Sequence, residues 1–177
     1  MDDGRRLLVE QARAGRADAW EALFRPLYPR LVAYAVRRSF PDAADDIVAE
    51  TMTRAVESID QFRWGRAGFD GWVFGIARRV SAEHARRETR AARPSPTADG
   101  PSVPVDEGVC LAEEHAEVRA AFESLRPDDR EVLELRVIAG LTADQTASVL
   151  GKRPGTVRVA QSRALARLRD RLKGDHD

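Results

Sequence analysis

Apolar residues along this chain recur at helical spacing, and no segment shows the sustained two-residue alternation of a half-buried strand. In FDGWVFGIARRVSAEHARRETRAAR (69–93), Phe69, Trp72, Val73, Ile76, Ala77 and Val80 converge on one face, which predicts a core-facing helix. Upstream, PDAADDIVAETMTRAVESI opens with a proline and acids, as a helix N-terminus favours, and sets Ile47, Thr51 or Met52, Ala55 and Ile59 along one side. ADAWEALF predicts a shorter helix capped by Asp18, with Pro26 and Pro29 interrupting it before RLVAYAVRR resumes.

Beyond residue 110 the same periodicity predicts four helices with short connections: LAEEHAEVRAAFESL, PDDREVLELRVIAG, LTADQTASVLG and RPGTVRVAQSRALARLRDRLK. Pro127 with Asp128 and Asp129 marks the start of the second, Thr142 with Gln145 forms a capping box for the third, and Gly140 and Gly151 stand at C-cap positions. Between the two helical halves, RPSPTADGPSVPVDEG has no periodicity and holds four of the nine prolines, which predicts a semi-extended linker. The expected architecture is all-α: two small helical domains, 1–92 and 112–177, joined by a linker over 93–111.

Composition changes this picture only at a few points. At 177 residues the chain is long enough for two small domains, and 43% hydrophobic with 33% charged residues is a globular mixture. No apolar run approaches the roughly 20 residues of a membrane span, and the first residues lack a signal peptide, so a cytoplasmic protein is expected. Cys110 is the only cysteine, which excludes an internal disulfide and a multi-cysteine zinc site. His84, His115 and His176 are scattered, and neither a Gly-rich phosphate loop nor a nucleophile paired to a base is present. The residues therefore point away from an enzyme, and no cofactor or metal is expected.

Charge is zero in sum but segregated along the chain. Residues 41–62 hold six acids against one arginine, 63–93 eight arginines against three acids, and 151–173 eight Lys or Arg against one Asp. Two basic segments offset by an acidic one suggest different partners, nucleic acid for one sign and protein for the other. On the helix from Phe69, Arg79, Glu83, Arg86 and Arg90 fall along one flank, either a solvated face or a nucleic-acid contact.

In LTADQTASVLGKRPGTVRVAQSRAL (141–165), Ala147 is small where two helices would touch, Gly151 suits a turn of positive φ, and Val157 is a branched residue early in the second helix. These are the requirements of a helix-turn-helix. Val157, Gln161, Ala164 and Leu168 then face inward, while Arg158, Val159, Ser162 and Arg163 face outward or to the flanks. The arginines suit phosphates or guanine edges, the start at Gly155 and Thr156 offers amides to a phosphate, and Val159 suits a thymine methyl.

Taken in order, these stretches resemble bacterial RNA polymerase sigma factors of the short extracytoplasmic-function type (group 4 of the sigma-70 family), which retain only regions 2 and 4. DAADDIVAETMTRA resembles core-binding region 2.2, FDGWVFGIARRVSAEHARR the −10 recognition and melting helix, and LRPDDREVLELRVIAGLTADQTASVLG with GTVRVAQSRALARLR the −35-reading region 4. The resemblance implies core-polymerase contacts at Asp45, Asp46, Ile47, Glu50, Thr51 and Arg54, directed at the β′ subunit, with β a further partner in the holoenzyme. It implies −10 contacts at Phe62, Arg63, Trp64, Arg79, Glu83, Arg86, Arg87 and Arg90, where aromatic rings and arginines would catch an extruded base and hold one strand, although Phe62 and Trp64 equally suit an anchor of the loop on the core. The −35 contacts it implies are Arg153, Gly155, Thr156, Arg158, Val159, Ser162 and Arg163, and an anti-sigma factor is an implied partner. Arg79 stands where relatives commonly carry Asn, and Val159, Ala160 and Gln161 replace Ser, Arg and Leu, so the promoter sequence does not follow from a consensus. A helix-turn-helix regulator with another input domain, and a sigma-like protein that binds polymerase without opening promoters, are the alternatives.

Overall fold

The computed structural model describes residues 3–38, 41–91 and 117–174; the linker 93–111, Cys110, His115 and His176 lie outside these. All regular structure among the described residues is helical. Five α-helices build the first domain: α1 (Asp3–Arg13), α2 (Ala17–Phe24), α3 (Tyr28–Arg38), α4 (Pro41–Glu57) and α5 (Gly68–Ala91), with one 3₁₀ turn at Ile59–Gln61. The second domain comprises α6 (117–123), α7 (Pro127–Leu133), α8 (Ala143–Leu150) and α9 (Pro154–Gly174).

In the first domain α5 lies on α3 and α4, and its predicted apolar face is buried at Phe69, Val73, Ile76, Ala77 and Val80. The periodicity understates its burial, because Phe74, on another side, is also fully buried and meets Tyr34 of α3 edge-on at 5.6 Å. Burial pushes the Tyr34 hydroxyl up to about 12. Phe24, Phe62 and Phe69 extend the core as tilted and edge-on rings, the geometry that aromatic quadrupoles favour. α1, which the sequence reading did not single out, buries Val9 and Ala12 and places Arg13 to donate to the Phe62 carbonyl at 2.6 Å.

Two local expectations need correction. Asp18 is not the cap of α2: the helix begins at Ala17, the N-cap residue is Arg16 with no side-chain cap bond, and Asp18 instead pairs with Arg16. PDDREVLELRVIAG is not one helix, since α7 ends at Leu133 and a π-helical turn follows over Glu134–Ile138. The wider turn lets Leu135 and Ala139 join the first domain's apolar core, with Leu141 just beyond it.

The second domain has little apolar material of its own. Phe122, Leu125, Leu133 and Ala164 form one small cluster, and Val132, Ala143, Ala147 and Val157 another. Local chemistry fixes its turns: Gly140 at φ 63° and Gly151 at φ 64° take the left-handed conformation that a side chain would strain.

Candidate nucleic-acid interface

Thr142 Oγ1 accepts from the Gln145 amide at 3.1 Å while Gln145 Oε1 accepts from the Thr142 amide at 2.8 Å, so the predicted capping box sets where α8 starts. Gly151 ends it, and α9 crosses with Val157 packed on Ala143 and Ala147. This geometry leaves Arg153, Gly155, Thr156, Arg158, Val159, Ser162 and Arg163 together on the exposed side of α9. Val159 is 50% exposed, an apolar side chain held outward among cations. Gln161, turned inward, accepts from Arg136 Nε at 2.8 Å, which supplies the partner a half-buried amide requires.

A shallow cleft of about 440 Å³ brings Arg126, Lys152 and Arg167 beside Thr156, Val159 and Arg163. Arg126 is invisible to a local reading because it precedes α7, far in sequence from α9, whereas Lys152 and Arg167 lie in the basic 151–173 segment. Arg167 bonds to Asp129, and Lys152 lies 3.4 Å from Asp128, so acids partly offset this edge. The face can offer guanidinium donors to phosphates and guanine edges around a central apolar contact.

The second basic surface lies on α5. Arg79, Arg86 and Arg90 are exposed, whereas Glu83 and Arg87 belong to an ion-pair network with α4. Arg54 Nη2 donates to Glu83 Oε2 at 2.6 Å and also pairs with Glu50, whose other oxygen lies 2.7 Å from His84 Nε2. The His84 hydrogen bond outweighs desolvation and, with Arg54, holds the Glu50 carboxyl below its usual range. Glu83 is held down mainly by its bond to Arg54, and Arg54 is raised in turn.

Three of the expected contact residues are buried. Phe62 is 1% exposed and packs against Trp64, Phe69 and Trp72, anchoring the loop on the core. Ile47 and Thr51 lie one helical turn apart on the inward side of α4, at 1% and 0% exposure, and offer no side chain to a partner. The outward side of α4 carries Asp45 and Asp46, with Glu50 and Arg54 engaged in the network. At the loop before α5, Trp64 is half-buried with Arg6 over its ring at 5.4 Å, and Arg63 is exposed. Unforeseen was an open apolar groove of about 850 Å³ lined by Trp20 and Phe24 of α2, Tyr28 of α3, and Met52 and Val56 of α4, whose walls come from segments distant in sequence.

A bundle with an acidic outer helix and a basic long helix, followed by a helix-turn-helix, defines a two-part helical DNA reader. The sigma-70 region 2 family matches residues 23–91, and sigma-70 region 4 matches residues 115–168. The chain is 33% identical to the ECF RNA polymerase sigma factor ShbA of Streptomyces griseus, over 92% of each chain. It is 31% identical to the ECF sigma factor BldN of Streptomyces coelicolor over 95% of its own length, spanning 66% of that relative. Among solved structures, CnrH in complex with the cytosolic domain of CnrY aligns at TM-score 0.73 and 25% identity, covering 96% of this chain and 97% of that one. The sigma factor RpoE in complex with the anti-sigma factor NepR from Bartonella quintana aligns at 0.68 and 27% identity, covering 85% and 94%. The chain belongs to the sigma-70 family of RNA polymerase sigma factors, in its short extracytoplasmic-function form with regions 2 and 4. Sigma factors are initiation factors rather than catalysts, and no helix among the described residues is long and apolar enough to cross a membrane.

Proposed function

We propose that this chain directs core RNA polymerase to a set of promoters by reading a −35 duplex with α9 and a −10 element with α5 and its preceding loop. The observation that carries the reading is the exposed, cation-rich face of α9 around Val159, presented by a fixed helix-turn-helix. Phosphates meet Arg153, Arg158 and Arg163, and the Val159 methyls meet a thymine methyl. On the first domain, Arg63, Trp64, Arg79, Arg86 and Arg90 hold the −10 strand, with Arg87 and Glu83 setting the charge beside them. Asp45 and Asp46 of α4 face the polymerase β′ subunit, where acids on one partner steer toward bases on the other. Domain limits at 1–92 and 112–177, with 93–111 as linker, suit this division, as does a cytoplasmic site of action. An anti-sigma factor holds the chain inactive until released, by analogy with the complexes of its structural neighbours.

Purified chain added to sigma-free core polymerase is expected to give discrete transcript starts on genomic DNA that share a −35/−10 pair. Binding to core without any start would favour a sigma-like protein that does not open promoters, and absence of core binding would sink both readings. Reversing Asp45 and Asp46 to lysine should weaken core association at least tenfold while leaving DNA binding by the chain alone unchanged; unaltered association would remove these two residues from the interface.

A further inference from the structure

α1 lies ahead of residues 23–91, which the sigma-70 region 2 match covers, and its role follows from its contacts. Val9 and Ala12 bury one side of it in the first core, while three of its arginines reach the segment from Ile59 to Asp70. Arg13 Nη2 donates to the Phe62 carbonyl at 2.6 Å and Arg13 Nε to the Ile59 carbonyl at 3.4 Å, so one guanidinium spans the 3₁₀ turn. Arg6 stands over the Trp64 ring at 5.4 Å. Arg5 pairs with Asp70 in the first turn of α5, where Arg30 of α3 donates to the other carboxylate oxygen at 2.9 Å. The arginines meet their partners in reverse order, 13 at 59 and 62, 6 at 64 and 5 at 70, so α1 runs antiparallel to the loop before α5 and braces it along its length.

That brace bears on Arg63, the exposed arginine at the start of the loop. Arg63 Nη1 donates to the Asp60 carbonyl at 2.5 Å and to the Phe62 carbonyl at 2.9 Å, so the guanidinium is turned back on its own turn. To meet a phosphate it must leave both. A carbonyl at the end of a helical turn that loses its donor away from water costs free energy. The Asp60 carbonyl faces solvent, where water takes over. The Phe62 carbonyl is partly buried and already shared: Arg13 stays on it when Arg63 departs. Glu10, one turn back on α1, accepts from Arg13 Nη1 at 2.7 Å and keeps that guanidinium aimed at the loop. Arg63 can therefore exchange carbonyls for a phosphate while the turn keeps its shape, and no reordering of the loop is added to the cost of binding a strand.

We propose that α1 is a working part of the −10 site and that Arg13 is its positioning residue, holding the Phe62 and Ile59 carbonyls while Arg63 swings from the loop to a phosphate of the unpaired strand. The proposal rests on the promoter-reading function above. Its test is a double-mutant cycle in holoenzyme assembled from the full chain and core polymerase. The probe is a fluorescein-labelled single-stranded oligonucleotide spanning the −10 element of a mapped start. Arg63→Ala is expected to weaken binding about tenfold and to lower the slope of log affinity against log salt by about 0.7, the share of one phosphate on a single strand. Arg13→Met leaves the Phe62 carbonyl with Arg63 and the Ile59 carbonyl with the Phe62 amide at 3.0 Å, so the unbound fold keeps its bonds. It is expected to weaken binding about fivefold, and the double variant to fall within about twofold of Arg63→Ala alone, because an arginine that acts by supporting Arg63 then has nothing to support. Losses that multiply to about fiftyfold, as a merely structural Arg13 would give, overturn the proposal, and so does unchanged binding by Arg13→Met. If Arg13→Met does not assemble with core polymerase, Arg6→Gln, which leaves Val9 and Ala12 in place, carries the test: a loss of about two- to threefold supports the brace and unchanged binding overturns it. Holoenzyme with the unmodified chain that neither binds the strand nor directs a start sinks the promoter reading and this proposal together; with normal starts, the overturning results strike the proposal alone.

Discussion

Two long basic helices, α5 and α9, carry the two surfaces proposed to read DNA, and they are built in opposite ways. α5 is packed between helices: Phe74 and Val73 are fully buried, α4 covers one side, and α8 touches its first turn. Its arginine flank is in part wired to α4 through Glu83, Arg54 and Glu50. α9 rests on α7 and α8 through Val157 and Ala164, and the side away from them is exposed. The contrast teaches that α5 is a core element with a basic flank, while α9 is a surface-mounted helix whose cationic face lies open. Damage to α5 therefore reaches stability first, and damage to α9 reaches recognition first.

The largest expected effect tests the core half of this comparison. Phe74→Ala removes a ring enclosed by Tyr34 and Arg30, and is expected to cost the first domain about 3–5 kcal/mol in urea unfolding. Val157→Ala, which deletes two methyls from a cluster of four buried residues, is expected to cost about 2 kcal/mol and to loosen the helix-turn-helix first. A Phe74 variant as stable as the unmodified chain would break the claim that α5 is structural.

Next in size is a change that leaves stability alone. Arg163→Ala on the open face of α9 is expected to shift unfolding by less than about 0.5 kcal/mol. Its binding to −35 duplex should weaken, and the slope of log affinity against log salt should fall by about one. A salt slope equal to that of the unmodified chain would mean that Arg163 neutralises no phosphate.

Much of this division was legible in the sequence, because helical periodicity and turn chemistry are local. The α5 face, the Thr142–Gln145 capping box and the glycine turns at 140 and 151 all follow from residues within a few positions of each other. The outward set on α9 was equally legible, since a single buried anchor at Val157 fixes the rotation of the helix. What escaped depends on distant pairings. Phe62 reads as a loop aromatic until Trp64, Phe69 and Trp72 close around it, and Ile47 and Thr51 belong to the core only because α3 and α5 lie against that side of α4. The π-helical turn at 134–138 has no sequence signature, and its consequence, the docking of Leu135 and Ala139 on the other domain, is a tertiary fact.

The smallest effect sharpens the comparison at the α4–α5 network. Arg54 is about one-third exposed, so solvent screens its pairs, and Arg54→Met, which keeps the stem, is expected to cost no more than about 1 kcal/mol at neutral pH. Its pH dependence is the more telling measure. Because Glu50 is held below its usual range, first by His84 and then by Arg54, its contribution is present above the ordinary carboxylate value of about 4.3 and fades as pH falls through the depressed value. Without Arg54, Glu50 keeps the His84 bond and a longer ion pair with Arg87, and its folded value rises toward the ordinary one, so less stability is left to lose. Urea midpoints measured from pH 7 down to 3 should therefore fall less steeply for Arg54→Met than for the unmodified chain on the acid side. Superimposable acid limbs would show that the network decorates α5 without tying it to the acidic helix α4.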